Sequence, residues 1–177
     1  GQMLLYYGSP TGPSTAPDWA LQGEAAASRL GEKVLAVGDV NGDGYGDIAS
    51  QSYHQSPYYY QPGSYSLRIY LGSPAGPATT VHRTTGGRNL AVAAGDVDGD
   101  GYGDLVVGDS SYPCGPTYCN DWGVIYLYRG SAAGLSGAPD WRYESDRQDA
   151  HLGQAVAMAG DLNGDGYDDV VAGAPSD

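Results

Sequence analysis

The sequence predicts an all-β fold: a β-propeller of four-stranded antiparallel blades, with three blades' worth of chain and a half-blade at each terminus. Three observations carry this reading. A nine-residue Asp-rich loop occurs three times, its first Asp at 39, 96 and 161, so that the spacings are 57 and 65. A Gly-Ser-x-x-Gly turn occurs at 8–12, 72–76 and 130–134, spaced 64 and 58. Between these markers lie short apolar or alternating runs of strand length, and units of about 60 residues holding four such runs are propeller blades. Composition agrees: Gly (29), Pro (11) and Tyr (16) are abundant in the 177 residues, which favours strands joined by tight turns.

In chain order, the first half-blade (1–23) holds an alternating strand at 3–7, a turn, and a more polar strand at 19–22 that begins with the Trp of Ala-Pro-Asp-Trp. The first full repeat (24–85) reads as an apolar strand at 34–40, a β-branched strand after the acidic loop at 47–50, an alternating strand at 65–71 and a polar strand at 79–83. The second repeat (86–145) gives the same four at 90–94, 104–107, 124–128 and 141–144. The closing half-blade (146–177) supplies only the first two, at 155–159 and 169–172. Alternation such as Val124-Ile125-Tyr126-Leu127-Tyr128 is that of half-buried strands. Ala-Pro-Asp-Trp recurs at 16–19 and 138–141, whereas the middle copy lacks its Trp. Trp19 and Trp141 are read as blade-packing residues rather than sugar platforms.

The chain thus starts with strands three and four of a blade and stops after strands one and two. Joining the ends gives a loop-to-loop distance of 177 − 161 + 39 = 55, close to the internal spacings. Propellers have four to eight blades, so three are too few for a ring. The expectation is a head-to-tail homodimer forming a six-bladed ring, each copy completing the other's half-blade and hiding its sheet edges; a fragment cut from a longer array is the alternative.

The loops follow D-x-[DN]-x-D-G-Y-x-D. Side-chain oxygens at positions 1, 3 and 5 (Asp39, Asn41, Asp43; Asp96, Asp98, Asp100; Asp161, Asn163, Asp165) can converge on one hard cation. A glycine at position 6 permits the sharp turn, the carbonyl at position 7 (Tyr45, Tyr102, Tyr167) adds an oxygen, and the Asp at position 9 (Asp47, Asp104, Asp169) closes the shell. An all-oxygen donor set without Cys or His selects calcium, one ion per loop and three per chain. The loops hold 3, 4 and 4 acids, 11 of the chain's 21, and that crowding opposes folding until a cation relieves it. An EF-hand is excluded because position 12 is Ser50, Val107 or Ala172, not Glu, and the flanks read as strands.

The net charge of −13 argues against nucleic-acid binding, which needs a basic face. No run of 18 apolar residues is present for a membrane span. The chain begins at Gly1, a boundary rather than a natural start, so the lack of a leader says little about compartment. Cys114 and Cys119, in Pro-Cys-Gly-Pro-Thr-Tyr-Cys, are read as a short local disulfide, which suits an oxidising compartment; a metal role is disfavoured because no second pair or His accompanies them.

The string Gly160 to Asp177, GDLNGDGYDDVVAGAPSD, resembles the FG-GAP repeat of integrin alpha-subunit propellers and their bacterial relatives. The resemblance covers essentially the whole chain as three repeats. It implies a propeller with calcium in the hairpin between strands one and two of a blade. The Phe-Gly of the motif stands as Leu30-Gly31 and Leu152-Gly153, with no match in the middle repeat, and Gly-Ala-Pro survives only at Gly173-Ala174-Pro175.

No nucleophile motif, phosphate-cradling loop or shared partner for His54, His82 and His151 is present, so the chain is read as non-enzymatic. The Tyr-rich insertion 52–61, with Tyr53, Tyr58, Tyr59 and Tyr60, is the candidate recognition surface, against the alternative that these rings pack on neighbouring blades. The function expected is a calcium-stabilised, extracellular or cell-surface scaffold for protein binding or adhesion. The alternatives are a lectin of the same architecture and an accessory module or engineered fragment of a larger secreted protein.

Overall fold

A computed structural model describes residues 1–23, 29–54, 63–87, 90–112 and 121–176. Twelve strands and no helix lie among them. Two strands come first, β1 (Gln2–Leu5) and β2 (Trp19–Gln22). A four-stranded blade follows: β3 (Lys33–Gly38), β4 (Asp47–His54), β5 (Ser64–Tyr70) and β6 (Arg83–Gly87). A second comprises β7 (Leu90–Gly95), β8 (Asp104–Asp109), β9 (Val124–Tyr128) and β10 (Trp141–Glu144), and the chain closes with β11 (Ala155–Met158) and β12 (Val170–Gly173). Every pairing is antiparallel and between sequence neighbours, giving sheets of two, four, four and two strands.

The sheets stack face to face in chain order, with an apolar layer at each boundary. Met3, Leu30 and Tyr70, with Trp19, Leu21 and Ile48, hold the first pair of strands against the first blade. Val37, Ala49, Leu67 and Ile69 meet Leu105, Val107 and Tyr128 between the two full blades. Val106, Ile125 and Leu127 meet Leu152, Val156 and Ala172 at the last boundary. The β8 run Leu-Val-Val explains why one strand serves two layers: Leu105 and Val107 point one way and Val106 the other, so a central strand is apolar throughout and buried throughout. Burying each such side chain stabilises the fold by about 1.5–3 kcal/mol.

Two boundaries differ from the sequence reading. The fourth strand of the first repeat runs over Arg83–Gly87, not 79–83. Its start is set by a bond the other units share: His82 N–H donates to Ile69 C=O at 2.8 Å, as Asp18 N–H does to Leu5 C=O and Asp140 N–H to Leu127 C=O, both at 2.8 Å. Arg83 therefore occupies the Trp19 and Trp141 position, and its guanidinium donates to the carbonyls of Leu135 and Gly137 of the next blade, at 3.1 and 3.0 Å. The second difference is that β4 runs through Ser52, Tyr53 and His54, which the sequence places in the insertion; Tyr53 pairs with Tyr65 across the ladder.

Candidate metal centres in the hairpin loops

Each acidic loop joins strands one and two of its unit: β3 to β4, β7 to β8, β11 to β12. The position-1 Asp organises the turn by accepting backbone N–H groups. Asp39 accepts from Asp43 (3.1 Å) and Gly44 (2.7 Å). Asp96 accepts from Gly99 (2.8 Å), Asp100 (3.2 Å) and Gly101 (3.0 Å). Asp161 accepts from Gly164 (2.7 Å), Asp165 (3.0 Å) and Gly166 (2.8 Å), the Gly166 bond above all holding its carboxyl below the usual carboxylate value. The position-6 glycines adopt left-handed φ of 88°, 88° and 93° (Gly44, Gly101, Gly166), a conformation that other residues rarely take. At position 5, Asp43, Asp100 and Asp165 each accept the N–H of the following-but-one residue, Tyr45, Tyr102 and Tyr167.

Position 3 differs among the loops. Asn41 and Asn163 donate their amides to Asp43 and Asp165, at 2.9 and 3.0 Å. Asp98 is instead paired with Arg129, at 2.9 Å. In this second loop Asp96, Asp98 and Asp104 each present a carboxylate oxygen, all within 4.8 Å of one another. Three convergent hard oxygens on a glycine-permitted turn fit a calcium ion, and these are the residues that would hold it there.

Position 9 has a second task that the sequence reading missed. Asp47 accepts from Val40 N–H (2.8 Å) within its loop and from Gly72 N–H (2.6 Å), the first residue of the turn between β5 and β6. Asp104 repeats this with Val97 (2.8 Å) and Gly130 (2.9 Å). The carboxylate thus ties the loop at one end of a hairpin to the next turn of the same blade. The signal was in the sequence as a nearly constant offset, 25 and 26 residues from the last loop Asp to the first turn Gly. Both carboxylates are buried, at 1% and 0% exposure, and burial pushes them above the ordinary value despite these amide bonds, with nearby Asp39 and Asp43, or Asp98 and Asp100, adding repulsion. Asp169 accepts from Leu162 N–H at 2.8 Å, and no turn glycine donates to it among the described residues.

Neighbouring loops are also linked. Gly103 N–H donates to Asp39 C=O (2.8 Å) and Asp168 N–H to Asp96 C=O (3.1 Å). The ring of Tyr102 lies against Gly42 and that of Tyr167 against Gly99. The loops therefore form a chain across the blades along one face.

Strands β4 and β8 end on the opposite face. On that side the Tyr53 ring lies 5.2 Å from that of Tyr65, with the Arg29 guanidinium 4.9 Å above it. Tyr58, Tyr59 and Tyr60, and the Cys114–Cys119 pair, fall outside the described residues. The three histidines are apart: His54 lies 2.7 Å from Ser66 Oγ, His151 bonds the Asp149 carbonyl, and His82 packs beside Gly134. Trp19 is packed at the first blade boundary, as expected, but Trp141 is 47% exposed.

Comparison with known proteins fits this geometry. An FG-GAP-like repeat model matches residues 39–107 and an FG-GAP repeat model matches 152–177. Similar curated proteins include integrin alpha-PS2 of Drosophila melanogaster, 34% identical over 80% of this chain and 11% of its own length. Phosphatidylinositol-glycan-specific phospholipase D of Rattus norvegicus is 33% identical over 84% of the chain and 19% of its own length. Integrin alpha pat-2 of Caenorhabditis elegans is 31% identical over 79% of the chain and 12% of its length. The chain thus spans between about a tenth and a fifth of these relatives. The residues standing for the motif's first dipeptide behave alike: Leu30 and Leu152 are buried, and Gly31 and Gly153 take φ of 83° and 81°.

Proposed function

This chain belongs to the FG-GAP repeat family, and on that premise we propose that it is a non-catalytic, calcium-stabilised propeller scaffold working outside the cell, where it presents loops to another macromolecule. The observation that carries the calcium reading is the trio Asp96, Asp98 and Asp104 with oxygens within 4.8 Å; the other two loops carry the same oxygen-bearing positions with Asn41 or Asn163 in place of Asp98. When bound, calcium supplies positive charge that offsets the mutual repulsion of these carboxylates; three ions would change the formal charge from −13 to −7. The chain's own residues then do the rest: Asp47 and Asp104 pull loop and turn together, and the linked loops stiffen one face. Recognition belongs to the Tyr-rich segment that follows β4 in the sequence, with Tyr53 at its start. Similarity to integrin alpha chains supports the extracellular adhesion setting.

Calorimetric titration of chelator-stripped protein with calcium tests the metal reading. Uptake of up to three ions with a rise in melting temperature is expected, and loss of about one equivalent in Asp96→Ala. A melting temperature unmoved by calcium or by chelator overturns it. A second reading, an accessory module beside a catalytic domain, is favoured by the match to the phospholipase D relatives, which covers only 19% of them. Reading the full gene distinguishes the two: a hydrolase domain in the same frame supports the module, and its absence supports the adhesion scaffold.

A further inference from the structure

The second acidic loop differs from the first in a matched pair of residues. Position 3 is Asp98 where the first loop has Asn41, and the residue before the turn glycine is Arg129 where the first blade has Leu71. In the first loop the position-3 side chain is satisfied within the loop. Asn41 donates its amide to Asp43 at 2.9 Å, and its side-chain oxygen accepts Asp43 N–H at 3.3 Å. Asn163 and Asp165 repeat both bonds in the third loop, at 3.0 and 2.9 Å. A carboxylate has no proton to donate, so Asp98 cannot close its loop in this way. Its Oδ2 is paired with Arg129 Nη1 at 2.9 Å instead. Its Oδ1 is buried and has no hydrogen-bond partner among the described residues.

Arg129 is held firmly where it can do this. It directly follows β9; its N–H donates to Asp140 Oδ2 at 2.8 Å, and its C=O accepts Ser136 N–H at 2.9 Å. The next residue, Gly130, donates its N–H to Asp104 Oδ1 at 2.9 Å. Two adjacent residues thus grip two carboxylates of one loop, Asp98 by side chain and Asp104 by backbone. In the first blade Gly72 makes the backbone grip on Asp47, and Leu71 offers no charge. Charge follows the same pattern. Positions 1, 3, 5 and 9 carry four acids in the second loop and three in each of the others. The guanidinium brings the second loop to the net charge of the other two.

An exposed ion pair is worth little, and about half of the Arg129 side chain is in water. Asp98 is another matter. Its side chain is only 24% exposed, and it stands among carboxylate oxygens of Asp96 and Asp104 that lie within 4.8 Å. Without the guanidinium, three close carboxylates have no cation beside them, which the empty loop must bear.

We propose, on the calcium reading above, that Arg129 is the resident counter-ion of the second loop: it holds Asp98 in place when no metal is bound, and it lowers the loop's affinity for calcium. Asp98 attracts the guanidinium most when the loop is empty and least when an ion already offsets its charge. Whatever stabilises the empty loop over the filled one weakens binding by the same factor. The unpartnered Oδ1 is left for the ion, so guanidinium and ion would share one carboxylate.

A double-mutant cycle tests this. Arg129→Leu and Asp98→Asn together give the second loop the pair that the first blade has. Melting temperatures are read in chelator and in saturating calcium, and calcium uptake is read by calorimetry. In chelator, Arg129→Leu should melt about 2–4 °C below wild type. Arg129→Lys, which keeps the charge, should recover most of that loss, and the double variant should melt above Arg129→Leu. In calcium the coupling between positions 98 and 129 should shrink by half or more. One site of Arg129→Leu should bind calcium about five-fold more tightly, with the others unchanged. An Arg129→Leu midpoint equal to wild type in chelator, a coupling as large in calcium as in chelator, or calcium binding that is unchanged or weaker in Arg129→Leu overturns the proposal while leaving the calcium reading intact. Wild-type protein that takes up no calcium overturns both.

Discussion

Asp104 carries three duties at one residue: it accepts Val97 N–H, accepts Gly130 N–H and lends an oxygen to the acidic trio. Asp104→Ala leaves two amides short of an acceptor in a buried place and should destabilise the protein by about 2–5 kcal/mol in urea unfolding, even with chelator present. A loss confined to calcium-containing buffer would mean that the residue acts only through the metal. Its protonation has a definite sign. Burial sets the folded carboxyls of Asp47 and Asp104 above their usual 3.8, so the folded state holds these protons more tightly than the unfolded chain. Chelated protein should therefore lose stability as pH rises through the window just above 3.8 and not regain it toward neutrality. Asp140 and Asp161 sit below 3.8, held there chiefly by the Ser136 hydroxyl and the Gly166 amide respectively, and contribute stability that is lost as pH falls below that value. Melting curves of chelated protein from pH 3 to 7 check both slopes, and calcium should abolish the upper one.

At the level of elements, the same turn glycine is constrained in two places and free in a third. Gly130→Ala drives a methyl into the Gly103 carbonyl and should cost about 1–3 kcal/mol, whereas Gly8→Ala should leave the unfolding midpoint unchanged. Equal effects would contradict the open surroundings of Gly8. Leu67→Ala, in the layer between the full blades, should cost about 2–5 kcal/mol, since both sheets press on it. Eleven of the twelve strands among the described residues were legible in the sequence because blade strands repeat and because β8 is apolar or small between its terminal aspartates. The outer strand of the first repeat was misplaced because Thr79-Thr80-Val81-His82 reads as better strand than Thr85-Gly86-Gly87. Pairing to β5 decides the matter, since backbone hydrogen bonds need no particular side chain. The loss of Trp at Arg83 is offset at the blade boundary by guanidinium bonds to two carbonyls.

For the whole molecule, charge dominates. With −13 on 177 residues and 11 of the acids in three loops, the metal-free fold works against its own repulsion. Calcium at a hundred times its dissociation constant adds about 2.7 kcal/mol per independent site. Chelation should therefore lower the melting temperature by many degrees, and differential scanning calorimetry with and without chelator reads the shift. The sequence alone determined the acidic loops, their period and the strand content, because these depend on residue type and spacing along the chain. It could not show that the last loop Asp grips the next turn, that Tyr102 and Tyr167 lean on neighbouring loops, or that Trp141 is open while Trp19 is covered. Those facts belong to the tertiary structure, because they arise where separate blades meet, and which faces meet is fixed by packing in three dimensions.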